Sequence, residues 1–193
     1  MRKPDLVAFG TSLGGLKALM AVLGTFPAGF SLPIVVVQHR KAGGPGQSLA
    51  TLLQDSTALT VREAEDKMTL EAGSVYLAPA DYHLMVESPG MLALSTDTPV
   101  RSARPSIDVL FETAADAYGE ALLAVLLTGA SSDGAHGVTA VKARGGRVIV
   151  QDPATAESSA MPAAGIAAAE VDFVVPLEDI GSYVTSLAEG TRQ

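Results

Sequence analysis

The amino-acid sequence predicts an α/β fold built on a mainly parallel β-sheet. Short apolar segments alternate with segments of helical apolar spacing along most of the 193 residues, an order typical of strand–helix–strand units. Residues 33–38 and 121–127 are nearly continuous in aliphatic side chains, as expected of parallel strands buried on both faces. Three short apolar segments in the middle of the chain have hairpin spacing, which predicts a small antiparallel addition.

The first third of the chain is predicted to contain three strands and two helices. We expect strands at residues 6–9, 33–38 and 60–64, and helices at residues 14–23 and in a segment that ends near residue 54. The first helix is predicted from apolar residues three and four positions apart, namely Leu16, Leu19, Met20 and Leu23. Three glycines and a proline within residues 40–46 predict a loop after the second strand.

The middle of the chain is predicted to form antiparallel hairpins. Short strands are expected at residues 74–78, 82–86 and 91–95, separated by Pro79-Ala80-Asp81 and by Pro89-Gly90, which are typical turn sequences. The segment Arg104-Pro105-Ser106 then begins a helix. Its apolar face comprises Ile107, Leu110, Phe111 and Ala114.

Strand–helix alternation resumes in the last third. We expect strands at residues 121–127, 147–150 and 173–175, and helices at residues up to 144, at 162–169 and at 176–188. No linker, repeat or low-complexity segment is evident, so a single domain is expected over residues 1–193.

Composition excludes several classes of function. With no Cys, the chain forms no disulfide, thiolate metal site or cysteine nucleophile. The net charge of −8 argues against a nucleic-acid surface, because phosphate binding needs a basic face. No basic leader precedes a long apolar segment, which argues against a signal peptide or membrane insertion. We therefore expect a cytoplasmic protein, and a monomer.

A glycine-rich turn after the first strand presents one hydroxyl, that of Ser12. Gly10, Gly14 and Gly15 allow a sharp bend and leave this hydroxyl unshielded. The first amides of the following helix have free N–H groups beside it, an arrangement suited to acyl transfer. A plain connecting turn and a phosphate cradle are the alternatives. The full G-x-G-x-x-G spacing and the G-K-[ST] motif are both missing, so nucleotide binding is weakly supported.

Three polar residues, Ser12, His39 and Asp133, each follow a predicted parallel strand. Ligands of open α/β sheets bind at the carboxyl ends of the strands, so these side chains are expected to converge. Ser12 would attack an acyl carbon, His39 would transfer the proton, and Asp133 would orient the imidazole. The alternatives are a structural role for His39 and, for Asp133, an N-cap of the helix that follows it.

The other two histidines are weaker candidates for the base. His83 lies in the predicted hairpin region and is expected to be away from the carboxyl edge of the sheet. His136 follows Asp133 by three residues and could pair with it within one helical turn. The histidines show no metal-ligand spacing, so we expect no metal, and no cofactor is indicated.

Three segments resemble the active-site motifs of CheB-type chemotaxis receptor methylesterases. They are residues 10–15 (Gly-Thr-Ser-Leu-Gly-Gly), 37–39 (Val-Gln-His) and 127–135 (Leu-Thr-Gly-Ala-Ser-Ser-Asp-Gly-Ala). The similarity extends, in order, through residues 77–83, 104–111, 145–152 and 161–162. It thus covers nearly the whole chain.

The resemblance implies a doubly wound sheet with helices on both faces and an antiparallel hairpin. It implies hydrolysis of glutamyl methyl esters on the cytoplasmic helices of chemoreceptors, with release of methanol, and glutamine deamidation as an additional activity. It places Ser12, His39 and Asp133 in a catalytic triad. The candidate oxyanion and substrate-binding residues are Leu13, Gly14, Gly129, Ala130, Arg40 and Met161.

The sequence departs from the family pattern at three places. Leu13 replaces the usual Thr after the nucleophile, Ala130 replaces a common Met, and Arg40-Lys41 replaces the usual Met-Pro. Typical members also carry a receiver domain ahead of the catalytic domain, whereas here the first catalytic strand is expected within a few residues of Met1. A trimmed chain and a stand-alone esterase are both compatible with this beginning.

Two other functions stay open at this point. A receptor-binding module without turnover is favoured by Leu13 and Ala130 and opposed by the intact Ser12, His39 and Asp133. A small-molecule esterase or acyltransferase on the same fold is the third hypothesis. Positive charge near the site could attract an acidic receptor helix, and the candidate sources are Arg40, Lys41, Arg101 and Arg104.

Overall fold

Seven parallel strands form the central sheet of the computed structural model, which describes residues 2–40 and 48–190. In chain order they are β1 (Leu6–Thr11), β2 (Ile34–Gln38), β3 (Thr60–Glu63), β4 (Ser74–Leu77), β7 (Leu122–Leu126), β8 (Arg147–Gln151) and β9 (Phe173–Val175). Their spatial order is β3-β4-β2-β1-β7-β8-β9. The chain therefore leaves β1 toward one edge of the sheet and returns on the other side of β1. Ligand sites of such sheets lie at the carboxyl ends of the strands near this reversal.

Helices cover both faces of the sheet. They are α1 (Gly15–Leu23), α2 (Leu49–Gln54), α3 (Ile107–Tyr118), α4 (Ala135–Ala143), α5 (Ala160–Ala168) and α6 (Leu177–Glu189). Short 3₁₀ turns at Gly119–Ala121 and Pro153–Thr155 precede β7 and follow β8. The described elements lie within two residues of the predicted bounds, and the doubly wound architecture is confirmed. Residues 41–47, which include most of the predicted glycine-rich loop, lie outside the described residues.

The two faces bury separate aliphatic cores. Alternate residues of β1 point to opposite faces, so Val7 and Phe9 pack with α1, α2 and α6, whereas Leu6 and Ala8 pack with α3, α4 and α5. Every residue of β1 is buried, which explains why its sequence is apolar from Leu6 to Phe9 and does not alternate with polar residues. In the described parts of the chain, no helix has the length and apolarity needed to cross a bilayer.

The antiparallel addition is a single hairpin of β5 (His83–Ser88) and β6 (Met91–Ser95), and β5 packs on α3. The prediction that residues 74–78 also belong to an antiparallel unit is wrong. The observed strand, β4, pairs in parallel with both β2 and β3. Its four residues are all buried, which suits an inner strand of the parallel sheet. The turn at Pro79-Ala80-Asp81 is therefore the exit from this sheet.

A close approach of α3 to β1 constrains Gly10. A Cβ atom at this position would lie 2.3 Å from Cγ2 of Ile107 and 3.2 Å from Cζ of Phe111. Ile107 is the first residue of α3 and is fully buried. Gly10 thus permits the start of α3 to lie directly against the end of β1, beside Ser12.

We expect Gly10→Ala to destabilise the fold by about 1–3 kcal/mol, since an added methyl group in a packed core forces its neighbours to shift. Urea unfolding measures the change. Gly29→Ala is the matched control, because a methyl group there meets no atom within 4 Å, and it should alter stability by less than about 0.5 kcal/mol. Equal losses for the two variants would show that the contact between Gly10 and Ile107 imposes no constraint.

Candidate active site

Ser12 lies at the turn between β1 and α1. Its N–H donates to the carbonyl of Thr128 (3.0 Å), while its carbonyl accepts from Gly15 N (2.9 Å) and from Nε2 of Gln38 (2.8 Å). Gly14 has φ of 80°, the left-handed conformation that the predicted sharp bend requires. The backbone of Ser12 is therefore fixed by contacts to three neighbouring segments.

The amides that follow Ser12 differ in availability. The N–H of Gly15 is already bonded to Ser12, whereas the N–H groups of Leu13 and Gly14 donate to no group within residues 2–40 and 48–190. The predicted oxyanion residue Gly129 donates its N–H to Ser158 (3.1 Å). Leu13 and Gly14 are therefore the sequence-predicted amides that keep free donors beside Ser12.

His39 follows β2, and its ring is hydrogen-bonded to Asp133. Its backbone N–H donates to the carbonyl of Thr11 (3.0 Å), which places it beside the Ser12 turn. The imidazole Nε2 lies 2.6 Å from Oδ2 of Asp133. Because Asp133 is an acceptor when ionised, the proton between them is assigned to Nε2 and the second nitrogen, Nδ1, is left as an acceptor.

The carboxylate of Asp133 is 1% exposed and accepts five hydrogen bonds. Burial opposes ionisation, but the bonds from His39, from the backbone N–H groups of Ile107 and Asp108 and from Ser106 hold the pKa of Asp133 below its ordinary value. The proposed N-cap of the following helix is wrong, since Gly134 occupies the cap of α4. Asp133 instead accepts from the first two N–H groups of α3, at 2.7 and 3.1 Å.

Asp108, in the first turn of α3, makes the reciprocal contact to α4. Its Oδ1 accepts from the N–H groups of Gly134 (2.9 Å) and Gly137 (2.8 Å), and its Oδ2 accepts from Nε of Arg101 (3.2 Å). Burial and the nearby charge of Asp133 raise the pKa of Asp108, against the opposing effect of these donors. Each helix thus receives at its N-terminus a carboxylate carried by the other segment, where the helix dipole favours negative charge.

His83 lies in the hairpin, at the start of β5, as predicted, but it is not remote from the candidate site as expected. Its ring is 1% exposed, and Nδ1 accepts from the N–H of Ser106 (3.2 Å) while Nε2 contacts the carbonyl of Thr98 (3.2 Å). Ser106 Oγ in turn donates to Asp133 Oδ1 (2.8 Å). His83 therefore supports the segment that orients Asp133. No local sequence signal connects a hairpin histidine to a residue 23 positions away, so the contact was not foreseeable.

His136 does not pair with Asp133. Its Nε2 accepts from Nη2 of Arg101 at 2.6 Å, and the same guanidinium reaches Ser132 Oγ at 3.4 Å. This histidine is therefore linked to the buried pair through Arg101 and Asp108, on the far side from His39.

Two cavities flank His39. One of about 480 Å³ is lined by Ser12, Leu13, Gly14, Gln38, His39 and Glu157, among others. The second, of about 460 Å³, is lined by His39, Arg40, Asp81, Arg104 and Pro105, together with Pro99, Ser102 and Ala103. Ser12 and His39 thus share a cavity, although Ser12 Oγ forms no hydrogen bond to the ring within the described part of the chain. Such contacts are commonly longer in the free enzyme than in the substrate complex.

The remaining sequence-predicted residues occupy different environments. Leu13 is 55% exposed at the mouth of the first cavity, and Ala130 is exposed. Met161 is fully buried against Gly129, away from both cavities. Arg40 lines the second cavity, whereas Lys41 lies outside the described residues. No group of three His, Asp or Glu side chains suited to a metal ion occurs in residues 2–40 and 48–190.

Asp133→Asn should destabilise the protein by about 3 kcal/mol at pH 7, because it removes a buried charge from its donors. Since the pKa of Asp133 is lowered in the folded state, its contribution is present above the ordinary value of 3.8 and is lost as the pH falls through the folded-state value. The difference from wild type should therefore shrink between pH 5 and pH 3, a range that brackets this ordinary value. Urea unfolding across this range measures it.

Asp116→Asn is the control for this experiment, because Asp116 is exposed and paired with Arg144. Its effect should stay below about 1 kcal/mol at every pH. A constant difference between wild type and Asp133→Asn would contradict a lowered pKa at Asp133.

Comparison with known proteins finds a family model and a solved structure that match most of the chain. The family model described as CheB methylesterase matches residues 7–184. The crystal structure of the Thermotoga maritima CheB methylesterase catalytic domain superposes with a TM-score of 0.89 at 35% sequence identity, covering 96% of this chain and 100% of that chain.

Curated relatives include proteins of two lengths. A Leptospira interrogans serovar copenhageni protein, provisionally named protein-glutamate methylesterase/protein-glutamine glutaminase, is 43% identical over 189 residues, with 98% of this chain and 97% of the relative covered. Protein-glutamate methylesterase/protein-glutamine glutaminase 1 of Paramagnetospirillum magneticum is 39% identical over 193 residues, but this chain (96% covered) spans only 49% of its length. The match over nearly all of this sequence and its fold shows that the chain belongs to the CheB methylesterase family.

Proposed function

We propose that this protein hydrolyses glutamyl methyl esters on the cytoplasmic helices of chemoreceptors and releases methanol. The observation that carries the proposal is the 2.6 Å bond between His39 and the buried carboxylate of Asp133, beside the Ser12 turn. Family membership and the names of the relatives support the substrate class. Those names also support deamidation of receptor glutamines as an additional activity.

In the proposed mechanism, Ser12 is the nucleophile and His39 is the general base. Asp133 accepts a hydrogen bond from Nε2–H and so keeps Nδ1 unprotonated, ready to take the proton of Ser12 Oγ. Oγ then bonds to the ester carbon, and the negative charge moves to the carbonyl oxygen. The free N–H groups of Leu13 and Gly14 are the proposed donors to this oxyanion.

The intermediate collapses when the bond between the acyl carbon and the methoxy oxygen breaks, and His39 transfers its proton to that oxygen, which leaves as methanol. Water then attacks the acyl-enzyme, with His39 again taking and returning a proton, and the product is glutamate. An amide substrate follows the same steps with ammonia as the leaving group. The imidazolium formed in each half-reaction is stabilised by the ionised Asp133.

The remaining expectations are part of the same proposal. Residues 1–193 would act as one catalytic domain, as a monomer in the cytoplasm, with the receptor helices as partner. Neither a metal nor a cofactor enters the proposed steps.

Ser12→Ala should abolish hydrolysis, with a loss of at least about 10⁴-fold in kcat, because it removes the attacking atom. Methanol release from methylated receptor helices measures this, and a serine-directed phosphonate should label the wild type but not the variant. The thermal unfolding midpoint serves as the control, since Ser12 is only half-buried and its hydroxyl forms no hydrogen bond among the described residues. Substantial methanol release by a pure variant would exclude Ser12 as the nucleophile.

His39→Ala should lower kcat comparably, because members of a triad act as a unit. His136→Ala is the matched control, since its ring bonds to Arg101 and not to Asp133, and it should retain activity to within about tenfold. Steady-state methanol release compares the two. A more severe loss in His136→Ala would reject the choice of base.

A further inference from the structure

The second cavity beside His39 contains a cation with no ionic partner. Arg104 donates through Nη1 to the carbonyls of Thr96 (2.8 Å) and Asp97 (3.0 Å), which fix the guanidinium at the cavity wall. Among the described residues no carboxylate forms an ion pair with it. The neighbouring Arg101 differs, because its charge is taken up by Asp108.

Arg40 contributes a second guanidinium to the same cavity. Its Nη2 donates to the carbonyl of Ala78 (3.0 Å) and to the carboxylate of Glu63. For both Arg40 and Arg104, Nε is buried and finds no acceptor within residues 2–40 and 48–190. Unpaired buried donors are unfavourable. The terminal Nη2 of Arg104 forms no hydrogen bond within the same described residues, so it can donate to a carboxylate oxygen that enters the cavity.

We propose that this cavity is a subsite for a carboxylate side chain located one helical turn from the reacting ester. The inference rests on the proposed function, because it assumes a helical substrate. Guanidinium groups bind carboxylates through two parallel N–H donors, which gives geometric selectivity as well as charge recognition.

The positions of the two cavities suit a helix that lies across the imidazole. Both cavities are lined by His39. Side chains three or four residues apart on a helix have Cβ atoms about 5–6 Å apart. When the ester side chain enters the Ser12 cavity, a neighbour one turn away is proposed to enter the cavity that Arg104 lines, because both cavities border His39.

Asp81 also lines this cavity and carries the opposite charge. It therefore weakens the attraction that Arg104 and Arg40 exert on a carboxylate. This gives the proposal two variants with opposite expected effects: removal of the Arg104 charge lowers the preference for an acidic neighbour, and removal of the Asp81 charge raises it.

The test measures binding to the Ser12→Ala protein, so that no turnover is needed. Helical peptides carry one glutamyl methyl ester, with Gln at the positions three and four residues before and after it. In four further peptides, Glu replaces one of these Gln residues at a time. We expect one Glu peptide to bind on the order of tenfold more tightly than the all-Gln parent.

The affinity ratio is the affinity for this Glu peptide divided by the affinity for the all-Gln parent. Adding Arg104→Gln to the Ser12→Ala protein should bring the affinity ratio close to one, and adding Asp81→Asn should increase it. Arg144→Gln is the matched control for charge, since Arg144 lies just past the far end of α4 and pairs with Asp116; it should keep the ratio. If Arg104→Gln fails to fold, the increase in Asp81→Asn still decides the question. The selectivity should persist in part at high salt, because both arginines are half-buried and partly buried pairs are screened less than exposed ones.

If Glu increased the affinity equally at all four positions, and high salt removed the increase, long-range attraction would explain the result and the subsite would be overturned. An unchanged ratio in Arg104→Gln or Asp81→Asn, or no binding of any peptide, would overturn it as well. Methanol release from the parent peptide by the wild type is scored separately. Its absence would reject the proposed function while the binding ratios still judge the subsite.

Discussion

The candidate active site depends on the exchange of two carboxylates between the starts of α3 and α4. Asp133 precedes α4 but accepts from the N–H groups of α3, and Asp108 belongs to α3 but accepts from those of α4. Neither aspartate can be buried alone at acceptable free energy, since each needs the donors that the other segment exposes. The two helix starts are therefore held together, and α3 packs against α4.

This arrangement also explains why Asp133 is ionised although its carboxylate is buried. Its charge is balanced by fixed dipoles of backbone N–H groups and by Ser106, which do not change their protonation state with pH. Arg101 plays the corresponding part for Asp108 from the protein surface. Asp133 is thus bonded to His39, whereas the charge of Asp108 is compensated by Arg101.

Sequence reasoning predicted the elements that depend on local pattern. Continuous apolar segments identified β1, β2 and β7, and the polar residues that follow these strands include the candidates Ser12, His39 and Asp133. Sequence reasoning failed where interacting residues are distant in sequence. The parallel pairing of β4 is decided by burial between β2 and β3, and the bond from Ser106 to Asp133 spans 27 positions. A short apolar strand has the same sequence pattern in a parallel and in an antiparallel sheet, because the pattern does not show which strands lie beside it.

The sheet register has a mechanical consequence for the two residues that follow β1 and β2. Thr11 and Gln38 are paired across these strands, so Ser12 and His39 occupy the next step of the same ladder, and the N–H of His39 is bonded to the carbonyl of Thr11. The separation of their backbones is therefore set by the pairing of β1 with β2. The distance between the Cα atoms of Ser12 and His39 therefore depends on the spacing of two adjacent strands. It does not depend on the conformation of the loops around the site.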